Sequence, residues 1–188
     1  GMKLYEEGHI EMAKTHMKHP GDELYAGLTE AFNDRGQPGF ADELEALADS
    51  VINDNSKDVV MNNYKVLLDA ISAHEPIADM TAKGVLLSVA TMLMATADEY
   101  AVGIQEGKVA QVHEYQDALG FKEIANNRLE RINSEEAQKA SSAIDETRSV
   151  LKSLTNLWPT ITPEGELQGD ASKIYGAASR IELEARSI

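Results

Sequence analysis

Apolar residues recur at helical spacing along nearly the whole chain, and no segment alternates cleanly as a strand would. That periodicity confines the 188 residues to an all-α fold. Aromatics make up only 5% of the chain, so the core must be built from Leu, Ile, Val, Ala and Met. The most apolar stretch, GVLLSVATMLMATA at 84–97, is apolar nearly all round and marks the central, most buried helix. The run is shorter than the ~20 residues a membrane span needs, and Asp98 and Glu99 follow at once. No membrane span is therefore expected.

Eight helices are expected, near 2–18, 21–35, 40–53, 57–74, 77–105, 109–132, 134–158 and 171–186. Pro20 disfavours the helical conformation in His19 and ends the first. Gly36 is placed to end the second, and Ser56 to cap the fourth. Asn133 and Glu136 in NSEE form a variant capping box ahead of the seventh. That helix shows a seven-residue apolar repeat through Ala137, Ala140, Ile144, Thr147, Leu151, Leu154 and Trp158, suited to bundle packing. The stretch 159–170, with Pro159, Pro163, Gly165 and Gly169, reads as a loop. Short links between long helices predict an up-and-down antiparallel helical bundle, with the shorter N-terminal helices packed on four longer ones. The chain reads as a single helical domain over 1–188, with a weak subdivision near 75–79.

The net charge of −15 repels phosphate backbones and anionic lipid, so no nucleic-acid partner is expected and cations are favoured. The absence of cysteine excludes disulfides, thiolate zinc sites and cysteine nucleophiles. There is no H-E-x-x-H, no G-x-S-x-G and no Gly-rich phosphate loop. The opening GMKLYEEGHIEM lacks the apolar stretch of a signal peptide. Gly1 reads as a cloning remnant, and an export signal is expected upstream of Met2.

Two groups of residues carry candidate chemistry. In GHIEMAKTHMKHPGDELY, at 8–25, lie three of the five histidines. On a continuous first helix, His9 and His16 share the stripe of Tyr5, Met12 and Ala13. His19 stands at the helix end beside Asp22 and Glu23. Imidazoles with a carboxylate suit a divalent metal ion, making His9, His16, His19 and Glu23 the candidate metal ligands. The plainer reading makes the interior histidines core residues, His19 a favourable charge at a helix C-terminus and Asp22 a cap. The second group lies in ADEYAVGIQEGKVAQVHEYQDALGF, at 97–121. A hairpin turning at Glu106 and Gly107 brings together positions summing to about 213, setting Tyr100 opposite His113 and Thr96 opposite Asp117. His113 and Asp117, one helical turn apart, can hydrogen-bond. Such a pair suits a general base or a supported metal ligand. Tyr100, His113 and Asp117 form the candidate ligand pocket, with Glu99, Glu114 and Tyr115 at hand; the plainer reading is a polar network that fixes helix register.

The stretches YEEGHIEMAKTHMKHPGDELYAGL, EYQDALGF and SRIELEA are together similar to an uncharacterised family of exported bacterial all-helical proteins. A more distant resemblance is to imelysin-like helical proteins linked to iron uptake. Their G-x-H-x-x-E motif is not matched, because Gly8 adjoins His9 directly and Glu11 follows two residues on, so no imelysin site is carried over. The resemblance implies a periplasmic setting and an iron or metal theme. The leading expectation is an exported binding protein for a metal ion or small ligand, without catalysis. Its site would draw on the N-terminal histidines, extended by His113 and Asp117. The rivals are a structural or protein-interaction module with no small-molecule site, and a metal-assisted hydrolase using the His113–Asp117 pair.

Overall fold

The computed structural model describes residues 1–19, 25–75, 77, 80–167 and 169–188, without the side chains of Lys18, His19 and Ala26. The chain divides into two compact units, Gly1–Pro76 and Ile77–Ile188. Both are helical, and the only strands among the described residues are two residues long.

The first unit holds α1 (Met2–Glu6), α2 (Ile10–His19), α3 (Ala26–Asp34), α4 (Ala41–Ile52) and α5 (Lys57–His74). The expected first helix is therefore two helices, and Gly8 is the reason. With φ at +86°, Gly8 donates to the Tyr5 carbonyl at 3.1 Å, and His9 donates to that of Leu4 at 2.8 Å. This pair of bonds closes a helix in the Schellman manner, and glycine adopts the conformation at least cost. The His9 carbonyl then accepts from Ala13 at 2.9 Å and starts α2. α4 packs against α5 and α2, and Lys14 on α2 reaches Asp54, just past the end of α4, at 2.8 Å. Tyr25, Phe32, Phe40 and His74 make an aromatic corner with ring centroids 5.2 to 6.0 Å apart.

The second unit is a four-helix bundle built from α6 (Ala82–Gly103), α7 (Val112–Glu130), the broken pair α8 (Ser134–Lys139) and α9 (Ser141–Ser153), and α10 (Ala171–Ser187). α6 packs on α7 and α10, and α9 packs on the same two, so the helices close a ring. Directions follow from the ends. The hairpin of β1 (Ile104–Gln105) and β2 (Lys108–Val109) reverses the chain between α6 and α7, pairing Ile104 with Val109. Tyr100, near the end of α6, donates to the Leu157 carbonyl beyond α9. At the opposite end Lys83 reaches the Ile188 carbonyl at 2.7 Å, and Glu136 accepts from the Ala82 backbone at 2.8 Å. The four helices therefore run up, down, up and down, as expected of an antiparallel bundle.

α6 begins later than expected, at Thr81, whose hydroxyl accepts from the Gly84 backbone. Its ten buried residues include Val85, Leu86, Val89, Leu93 and Tyr100. The expectation that this segment is too short for a membrane is corrected: at 22 residues, α6 is long and apolar enough to cross one by length and composition. The expected seventh helix breaks at Ala140, which leaves the helical region at φ −122°, ψ 25°. Its apolar stripe survives the break, with Ala140, Ile144, Thr147, Leu151, Leu154 and Trp158 all buried.

Candidate metal centre

The hairpin end of the bundle carries two clusters. The inner one is aromatic. Tyr100 and Tyr115 are fully buried and pack with Trp158 at centroid distances of 5.2 to 6.4 Å. Their polar tips are satisfied by the loop after α9: Tyr115 donates to the Thr160 carbonyl at 2.7 Å, and Gln116 to that of Ile161 at 3.0 Å. The Trp158 indole donates to the Tyr115 carbonyl at 3.1 Å. Gly103 permits the close approach, since a β-carbon there would stand 2.6 Å from the Tyr115 backbone nitrogen. Burial pushes the Tyr100 phenol up to about 12 and raises that of Tyr115 well above its ordinary value. Both hydroxyls are neutral hydrogen-bond donors to backbone, and Tyr100 is a core residue facing Tyr115 and Trp158.

The outer cluster is ionisable. On the first turns of α7, His113 Nδ1 lies 3.2 Å from Asp117 Oδ2 and 3.7 Å from Glu114 Oε2. Four-residue spacing puts His113 above Asp117 on one helix face. From α6, Glu99 meets Glu114, and the two carboxyls hydrogen-bond. Glu99 and Glu114 sum to 213, the register of the hairpin strands. The Glu99 carboxyl titrates above its ordinary value, first because it is partly desolvated and then because Glu114, Asp117 and Asp98 surround it with negative charge. Asp98 accepts a short hydrogen bond from the Tyr175 hydroxyl of α10. His113, Glu114 and Asp117 are half-buried, their side chains 22%, 29% and 36% exposed. The group is therefore held by the fold yet open to solvent.

The chemistry available is cation binding. An imidazole and three carboxylates are hard-to-borderline donors, the set that takes iron, manganese or zinc. Crowded carboxylates repel one another, and a bound cation relieves that repulsion. The hairpin register and the spacing of His113 and Asp117 locate this group in the sequence; the meeting of Glu99 and Glu114 is the contact that turns it from a pair into a four-residue cluster.

The other candidates belong to the first unit. Gly8 breaks the helix ahead of His9, so Tyr5 falls on α1, while His9 opens α2 and His16 lies within it. His16 is buried, with 6% exposure. Glu23 and the side chain of His19 lie outside the described residues.

Residues 78–188 match the family model described as the iron permease-associated 4-helix bundle domain. No curated protein and no solved structure matches the chain.

Proposed function

Because the chain belongs to the iron permease-associated 4-helix bundle family, we propose that its bundle binds a metal cation, iron in keeping with the family's description. Glu99, His113, Glu114 and Asp117 are the proposed ligand set. The carrying observation is the cluster itself: carboxylates from α6 and α7 meet beside an imidazole that is 3.2 Å from Asp117. Cation is cargo here, and no reaction is assigned to the site. Asp117 and Glu114 orient the His113 ring through Nδ1. A bound cation would offset the negative charge gathered around Glu99. The net charge of −15 raises the local concentration of cations around such a site. An exported, periplasmic setting is part of the proposal and rests on the family resemblance of the sequence.

The test is metal content of the purified chain by elemental analysis, followed by thermal unfolding with ferrous iron under anaerobic conditions, then manganese and zinc. Binding raises Tm by about 5–10 °C at a hundredfold excess over Kd. His113→Ala and the pair Glu99→Gln with Glu114→Gln abolish the rise. A Tm that no ion moves, or a rise that survives His113→Ala, overturns the assignment.

A further inference from the structure

α9 and α10 border a groove of about 450 Å³. Its apolar walls are Val150, Leu154 and Ala177, and Ser153 stands among them with its hydroxyl donated to the Val150 carbonyl at 2.6 Å. Lys173 and Arg180 flank it on α10. They are seven residues apart, hence on one helix face and about 10 Å apart along the axis. Gly176 lies between them with open space where a β-carbon would stand. The glycine costs helix stability at an interior position, and no close packing requires it.

The charge of these two helices differs from that of the chain. Across α9 and α10 there are five cations and four acids, against −15 for the whole sequence. Arg180 holds Glu146 at 2.5 Å, which fixes its guanidinium beside the groove and leaves further donors on it. Lys173 follows the Asp170 cap of α10 and lends it positive charge. The groove is thus flanked by two cations, one of them paired with Glu146, around an apolar floor on an acidic protein. We infer that it binds a small organic dicarboxylate, whose two charged ends meet Lys173 and Arg180 while its hydrocarbon stem crosses Gly176 onto Val150, Leu154 and Ala177. The inference stands on different residues from the proposed metal centre and does not depend on it.

The experiment is a titration of the full chain, followed by amide resonances, with adipate, suberate, malonate and inorganic phosphate. Adipate and suberate are expected to move the amides of Ser153, Gly176 and Ala177, while malonate, too short to span the cations, and phosphate, without a stem, leave them in place. Lys173→Gln and Arg180→Gln each weaken adipate by about threefold or more, the scale of an exposed ion pair. Gly176→Leu fills the gap and abolishes the shifts. That variant improves helix propensity and meets no neighbour at its β-carbon, so it retains the fold. Adipate without effect on these amides, shifts that persist in Gly176→Leu, or phosphate acting as well as adipate would each overturn the inference.

Discussion

Tyr100 and Tyr115 meet across the α6–α7 seam, and so do Glu99 and Glu114, each one residue earlier. One residue is about 100° of helix rotation, and that step separates the driest part of the bundle from its most charged. The tyrosines face Trp158 and hand their hydroxyls to loop carbonyls. The glutamates face each other, with Asp117 and Asp98 adding negative charge around Glu99. Burial thus acts on both pairs with different results. It costs the aromatic pair little, because phenols are neutral near pH 7. It costs the carboxylates, because charge must leave water and sit beside like charge. The aromatic cluster closes the bundle, whereas the acidic one gathers like charge at its side.

The contrast can be broken from the aromatic side first. Trp158→Ala removes the largest ring and the indole bond to Tyr115, and is expected to cost about 3–5 kcal/mol in urea unfolding. Gly103→Ala forces a β-carbon onto the Tyr115 backbone and is expected to cost about 1–3 kcal/mol in the same measurement. Tyr115→Phe leaves the Thr160 carbonyl without its donor and should cost about 1 kcal/mol. The acidic side gives a smaller effect whose sign depends on pH. The Glu99 carboxyl titrates above its ordinary value of 4.5, so the native chain holds a proton that the unfolded chain releases. The stability tied to that proton is fully present below about 4.5 and is lost as pH rises through the folded value. E99Q removes this dependence, so its stability should gain on the parent as pH rises across that window. Asp170 and Glu136 have the opposite sign, their carboxyls being lowered by hydrogen bonds. Their stabilisation is present above the ordinary carboxylate range and lost as pH falls. Unfolding midpoints against pH for E99Q and Asp170→Asn separate the two classes, and parallel slopes would collapse the distinction.

Much of this was legible in the sequence, because helices are local. The apolar repeat from Ala137 to Trp158 is buried as its spacing predicts except at Ala137, which is half-buried, and the hairpin turns where Glu106 and Gly107 place it, with 213 as its pairing sum. The misses are also physical. A glycine inside a helical pattern reads as a tolerated flaw, yet Gly8 takes the left-handed conformation that ends α1, so Tyr5 and His9 no longer share one helix. Asn133 caps α8 by accepting from Glu136 at 2.9 Å. The Glu136 carboxylate also accepts from the Ala82 backbone at the start of α6, 54 residues back, a partner no local pattern announces. Tyr100 was matched with His113 by counting along straight helices. Val112 begins α7 three residues after β2, and Gly103 lets α7 approach at Tyr115, so the tyrosines meet each other. No local pattern carries such information.

The loop that follows α9 also bears on how the chain reaches this state. The bonds from Tyr100, Tyr115 and Gln116 to Leu157, Thr160 and Ile161, and from Trp158 to Tyr115, join residues 43 to 57 positions apart. Closing loops of that length costs entropy before any contact returns it. The α6–α7 hairpin, held by near neighbours, can form early, but its aromatic end must wait for α9 to arrive. The last step of folding at this end is therefore the seating of one tryptophan, and its fluorescence marks the moment the bundle closes.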